Sequence, residues 1–363
     1  MSAASPPPPI ERVGILRWLR DNLFSSVGNT LLTLIGLGLF ILIVPPVIEW
    51  AFVDADFAGA SKSACTGEGA CWVFIKVHLS QFIYGFYPPE QRWRIDLAFG
   101  ILIALAALLR IRRVPHKGWI AAATVVGFPV LAYYLFYGGG FGLEVVPTSK
   151  WGGLFLTVIV AGVAIAASLP LGILLALGRR SNMPVVQAVC TVFIELWRGV
   201  PLITVLFMAS VMLPLFLPTG VTFDKLLRAM VGWALFAGAY TAEVVRGGLQ
   251  GVPPGQYEAA QALGLPYWRR MYLIILPQAL RIAIPGIVNS FLAIFKDTTL
   301  VLIIGLFDLL GTIQAVATNP KWLGFALEGY VFAAAVFWVF CYGMSRYSAR
   351  LERRLNRHRE GGV

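Results

Sequence analysis

Runs of apolar residues long enough to cross a bilayer constrain this chain more than any other feature of it. About 17–25 predominantly apolar residues span the hydrocarbon layer as a helix. Such runs recur near 31–50, 95–109, 119–137, 154–177, 200–217, 229–247, 280–309 and 325–344. The second is short, and the seventh is overlong and interrupted. In hydrocarbon every backbone N–H and C=O must be satisfied within the protein, which makes the helix the spanning form for runs of this length. The expected fold class is therefore all-α, a polytopic membrane protein with about eight transmembrane helices. Composition agrees, since 58% of the 363 residues are hydrophobic and only 13% are charged.

The formal net charge of +11 would suit a nucleic-acid binder, but its placement points elsewhere. Arg12, Arg17 and Arg20 precede the first run, and Arg110, Arg112, Arg113 and Lys117 follow the second. Arg179, Arg180 and Arg198 follow the fourth, while Arg246, Arg269, Arg270 and Arg281 surround the segment after the sixth. Arg346, Arg350, Arg353, Arg354, Arg357 and Arg359 follow the last. The alternate loops hold fewer cations: Lys62, Lys76, Arg92, Arg94, Lys150, Lys225, Arg228 and Lys321. Cytoplasmic loops carry the excess of Lys and Arg, so both termini are expected in the cytoplasm. The basic surplus then belongs to the lipid bilayer and not to a nucleic-acid partner. Met1–Pro9 is Pro/Ser/Ala-rich and reads as a disordered tail. No cleavage site follows a short apolar core, so no removable signal peptide is expected.

No metal or redox framework is spaced into the sequence. His78, His116 and His358 stand apart, and the four cysteines are scattered. Cys65 and Cys71 flank a polar link in the longest outer loop, residues 53–94. An oxidising compartment would let them pair, and two free thiols are the other reading. Cys190 and Cys341 read as inert packing residues.

The run Gly251–Pro277 reads as a two-helix elbow. Pro253 and Pro254 suit a helix start, where a missing N–H is no loss. Gly264 supplies a left-handed stop, and Pro266 opens a second helix. Trp268, Met271, Tyr272 and Ile275 then fall on one apolar stripe at helical spacing, and Pro277 halts or kinks the helix. A pure packing role and a docking role are both compatible with this pattern.

Charges inside apolar runs need a partner or a water-filled cavity. Glu195 and Arg198, and again Glu243 and Arg246, are spaced i, i+3 and can pair along a helix. Both pairs read as structural. Lys296, Asp297, Thr298 and Thr299 interrupt the seventh run, with Asp308 beyond and Asn289 and Ser290 before. They fit either a polar pathway for a zwitterion or an internal lock of Lys296 on Asp297 or Asp308. There is no G-x-x-x-x-G-K-[ST] phosphate loop, so the chain does not cradle ATP by that means.

Glu258, Ala259, Ala260, Gly264, Ile274, Leu276 and Pro277 reproduce the E-A-A signature of ABC importer permeases at its spacing. Glu195–Pro201 resembles the E-x-x-R-G-x-P segment of the polar amino-acid permeases. Ala239–Gly247 resembles their A-Y-x-A-E-x-x-R-G segment, and Lys296–Leu300 their K-D-T-S-L stretch, with Thr299 in place of Ser. The chain thus resembles that family over 151–345, and the residues before it resemble the longer permeases of general L-amino-acid importers.

The resemblance implies a five-helix ABC importer permease core over 151–345, with 251–277 as its ATPase-coupling elbow. The remainder becomes a cytoplasmic N-terminal tail (1–30), an accessory three-span bundle (31–150) and a basic tail (346–363). It also implies a bacterial inner-membrane transport subunit that is not itself an enzyme and has no cofactor of its own. A cytoplasmic ABC ATPase dimer would bind ATP and Mg. A second related permease, a periplasmic amino-acid-binding protein and an L-amino acid substrate complete the set. A secondary carrier or channel without ATPase is the other functional reading.

Overall fold

The computed structural model describes residues 14–360 except Arg112, Thr219, Val221 and Thr222. The expected disordered start, Met1–Pro9, the charges at Arg12 and Arg112 and the last three residues of the basic tail lie outside the described residues. The side chains of Leu16 and of 355–360, with Arg357 and Arg359, are likewise not described. Among the described residues the chain is helical, with two isolated β-bridges, Asp56–Cys71 and Gly153–Asp308. It divides after Phe74 into two compact units.

The first unit holds α1 (Ile15–Leu23) and α2 (Val27–Ile48). Ser26 caps α2 by accepting from the Asn29 N–H, and no residue of α2 is buried. A π-turn over Glu49–Val53 extends it. The loop beyond is tied by short bonds. Asp56 Oδ2 accepts from the Thr66 N–H at 2.6 Å and its hydroxyl at 2.9 Å, and the Ala70 N–H donates to the Trp50 carbonyl at 2.7 Å. The Cys65 and Cys71 sulfurs are joined, with Cα atoms 5.6 Å apart. Helix α3 (Trp72–Tyr84) begins here and continues into the second unit.

The second unit contains α4 (Trp93–Arg110), α5 (Lys117–Ala122), α6 (Phe128–Tyr137), α7 (Gly153–Arg179), α8 (Pro184–Gly199), α9 (Leu202–Phe207) and α10 (Lys225–Gln250). These are followed by α11 (Pro254–Ala262), α12 (Tyr267–Arg270), α13 (Leu276–Asp297), α14 (Leu309–Ala317) and α15 (Ala326–Glu360). Helix α10 is the centre, packed most extensively on α7 and then on α13. Small residues permit the close approach that membrane helices use in place of a hydrophobic drive. A Cβ on Gly248 would collide with the Ala279 carbonyl, and one on Gly172 would sit 2.8 Å from the Thr241 side chain. Tyr87, Phe136, Trp151 and Phe155 stack edge to face at the head of this bundle, so 75–150 shares one core with the helices that follow.

The expected count of about eight spans is corrected. Among the described residues, five helices are long and apolar enough to cross a membrane: Val27–Val53, Lys117–Tyr137, Gly153–Arg179, Tyr267–Ile304 and Ala326–Arg354. A sixth arises if Pro184–Gly199 and Leu202–Phe216, bent by 101°, form one broken span. The run at 95–109 lies in α4, whose 18 residues carry Arg94, Asp96 and Arg110. Arg94 is buried and donates to the Glu144 carbonyl at 2.8 Å. The run at 229–247 lies in α10, where Tyr240, Thr241, Glu243, Arg246 and several glycines lower the apolar content, and protein covers its inner face. The expected five-helix core over 151–345 accordingly contains three such helices and the bent pair.

Candidate functional site

The elbow forms as a closed helical stop. Leu263 ends α11, and Gly264 takes φ +69°, a backbone conformation glycine adopts without strain. The Leu265 N–H bonds the Ala260 carbonyl and the Gly264 N–H bonds that of Gln261, at 3.3 and 2.9 Å. This is the paired hydrogen-bond pattern of a Schellman stop. Pro266 then caps α12.

The elbow is rooted in the bundle by its inner side. Ile275 is buried with Ala176, Ile194, Val245 and Leu249, and Ala260 is buried as well. Tyr257 donates to the Leu249 carbonyl at 2.9 Å and accepts from Arg180 at 3.2 Å. The outer side is bare. Leu263, Trp268, Tyr272 and Leu273 are 60–76% exposed, and Glu258, also exposed, makes no ion pair among the described residues.

The stripe expected from spacing therefore splits. Ile275 is fully buried and Met271 packs with it, while Trp268 and Tyr272 face outward. A π-turn over Met271–Ile275 is responsible. It adds a residue to the turn, so Trp268 and Ile275 no longer share a face. The π-turn also places Pro277 in the first turn of α13, so of the two outcomes expected there, a halt or a kink, the halt does not occur.

Above the elbow, one carboxylate gathers three guanidinium groups. Glu243 accepts from Arg246 at 2.9–3.1 Å and from Arg179 at 2.5 Å, with Arg198 at 3.7 Å. Glu195 pairs with Arg179 at 2.8 Å. The i, i+3 pair Glu243–Arg246 thus forms, whereas Glu195 and Arg198 each turn to a residue of another helix. Arg179 joins both acids, and sequence spacing gave no sign of it. Its one signal was its place at the end of a long apolar run.

Helix α13 sorts its polar residues by face. Asn289 and Lys296, two turns apart, lie on one exposed face with Pro285 and Ala293. The Ser290 and Thr298 hydroxyls donate to their own helix, at the Gly286 and Phe295 carbonyls, and Thr299 donates to that of Lys296. Asp297 is half-buried. Lys296 pairs with neither Asp297 nor Asp308 among the described residues. Asp308 is instead fully buried, capping α14 through the Gly311 N–H at 2.8 Å. The neighbouring Phe307 carbonyl and Thr312 hydroxyl both accept from the Gly153 N–H, so the start of α7 is pinned there. Among the described residues no group of three or more His, Cys, Asp or Glu is placed to hold a metal ion.

Residues 168–357 match the family described as binding-protein-dependent transport system inner membrane component. The inner membrane amino-acid ABC transporter permease protein YhdY of Escherichia coli (strain K12) is 56% identical over 93% of this chain and 92% of its own length. The glutamate/glutamine/aspartate/asparagine transport system permease protein BztC of Rhodobacter capsulatus is 40% identical over 97% of this chain and 96% of its own. A solved structure titled as an amino acid ABC transporter with histidines is 29% identical, covers 56% of this chain and 92% of that one, and superposes with a TM-score of 0.49. The chain belongs to the family of binding-protein-dependent inner-membrane permease components.

Proposed function

We propose that this chain forms half of the translocation pathway of a heteromeric importer of the general L-amino-acid type, in the place of its AapM-type permease. At the level of the family it is the membrane permease subunit of an ABC amino-acid importer, a multi-pass protein of the bacterial inner membrane. It is a transport subunit and not an enzyme; ATP hydrolysis takes place in the partner ATPase.

The finer reading rests on full-length similarity to two long permeases and on the elbow. In it, residues 151–345 are the permease core, 31–150 an accessory segment, and both termini are cytoplasmic, as the Lys/Arg distribution suggests. A cytoplasmic ATPase dimer with ATP and Mg, a second related permease and a periplasmic binding protein complete the assembly. Cys65 and Cys71 form a disulfide that closes the outer loop. The substrate class is polar L-amino acids, in keeping with the substrates named for the Rhodobacter relative.

The observation that carries this reading is the bare outer side of an elbow whose inner side is firmly anchored. Glu258, Ala259, Ala260, Gly264, Ile274, Leu276 and Pro277 shape it, and the Glu243 junction ties its root to α7 and α8. Lys296 and Asn289 are the pathway-facing polar groups, with Ser290, Asp297 and Thr298 supporting the helix that presents them. Closure of the ATPase dimer would push the elbow and switch the bundle between two packings.

The test replaces Glu258 and Gly264 by Ala separately and measures complex assembly and substrate-stimulated ATP hydrolysis. At least a tenfold loss of stimulation in either variant is expected. Normal coupled transport in both would remove the docking role. Uptake by proteoliposomes holding no ATPase would favour a secondary carrier.

A further inference from the structure

Helix α1 precedes residues 168–357, which match the family model, and its two faces differ in chemistry. At about 100° per residue, Trp18, Ile15, Leu19 and Leu23 occupy an arc of about 140°, which also holds Asn22, whose amide donates to the Trp18 carbonyl at 2.9 Å; Arg20, Arg17 and Asp21 occupy the opposite arc. Ile15 is 79% exposed and Trp18 52%, so the first unit leaves much of the apolar arc uncovered. Arg17 and Asp21 approach to 3.7 Å along the polar face.

The corner after α1 fixes where that face must lie. Three residues, Phe24–Ser26, separate α1 from α2. The Thr33 hydroxyl, in the second turn of α2, donates to the Leu23 carbonyl at 2.8 Å. Asn29 donates to the Ser25 hydroxyl at 2.6 Å, and the Thr30 hydroxyl donates to the Ser26 carbonyl at 2.9 Å. The corner's polar groups are thus satisfied locally, and α1 is held beside the opening turns of α2. Helix α2 is apolar, has no buried residue and belongs to a candidate span, so its opening turns sit at a membrane boundary. A helix held at that boundary, apolar on one side and carrying two arginines against one aspartate on the other, has the form of an interfacial anchor.

We propose that α1 lies in the plane of the membrane surface, with Ile15, Trp18 and Leu19 among the acyl chains and Arg17 and Arg20 on anionic lipid phosphates. Trp18 matches the preference of indole rings for this depth. The inference requires only that α2 spans, and stands apart from the coupling role of the elbow.

The test uses the full chain in nanodiscs of phosphatidylethanolamine and phosphatidylglycerol, with Cys190 and Cys341 replaced by Ser and the unlabelled parent as background. Spin labels are placed through Ile15→Cys or Asp21→Cys, both exposed positions, and their collisions with oxygen and with a water-soluble nickel chelate are compared. The label at 15 is expected to favour oxygen and the label at 21 the nickel chelate. Equal preference for the chelate at both sites would overturn the proposal, as would shielding of the label at 15 from both reagents. In the Ile15→Cys chain, Arg17→Gln or exchange to phosphatidylcholine is expected to lower the ratio of immersed to free label, about fivefold for the single arginine. An unchanged ratio in both experiments would remove the anionic lipid from the proposal.

Discussion

Asp308 shows how a residue marked by its charge comes to act through its burial. One oxygen caps α14, and the other is buried without a hydrogen-bond partner among the described residues. Burial pushes its carboxyl up to about 6, above the ordinary value of about 3.9. Between these values the folded chain keeps a proton that the unfolded chain releases. The contribution is therefore fully present below pH 4 and falls as pH rises through 6, by about 3 kcal/mol in total. Thermal unfolding in detergent across pH 4–7 should show this slope, and Asp308→Asn should flatten it. An identical slope in the variant would mean that other groups set it. Sequence marked Asp308 as a charge in need of a partner and offered Lys296, but the structure supplies a backbone N–H. Spacing behaved similarly at the Glu–Arg pairs. It identifies residues able to meet on one helix, whereas Glu195 and Arg198 meet residues of other helices.

Among the elements, three prolines leave the same mark. The π-turns Ala123–Gly127, Met208–Met212 and Met271–Ile275 each end two residues before a proline: Pro129, Pro214 and Pro277. Proline has no N–H for the carbonyl four residues back and crowds it, and the wider turn relieves the clash. At Pro214 that carbonyl belongs to Ser210, and Arg228 takes it at 2.7 Å. Such turns were invisible to helical periodicity, which assumes a constant pitch. The existence of the helices was legible in their apolar runs. The membrane-crossing status of α4 and α10 was not, because it depends on charges and on burial that a run of apolar letters does not weigh. Close packing of α10 yields a paired prediction. Gly248→Ala should destabilise the bundle by about 2 kcal/mol through overpacking, since its Cβ meets the Ala279 backbone. Gly247→Ala, with open space at its Cβ, should be neutral or stabilise by up to about 1 kcal/mol. Thermal midpoints of the two purified variants decide it, and equal losses would contradict close packing at 248.

For the molecule as a whole, the proposed function rests on the exposed face of α13 and on the elbow at its start. Lys296→Ala should reduce substrate uptake at least tenfold with complex assembly intact if that face lines the pathway. Loss of assembly instead would assign Lys296 to folding. The elbow was the most legible part of the site, because a glycine stop and its flanking prolines act locally. The Glu243 junction was half legible, since Arg179 reaches it only through tertiary packing. The π-turn over Met271–Ile275 carries a consequence for both ends of the helix that contains it. One residue more or fewer rotates everything on one side of the turn by about 100° relative to the other. Trp268 and Tyr272 point outward while Ile275 and Ala279 point inward because of that offset. The elbow is thus indexed to the bundle by angular phase, like the key on a shaft, and its aim is set by the count of residues between Arg270 and Leu276.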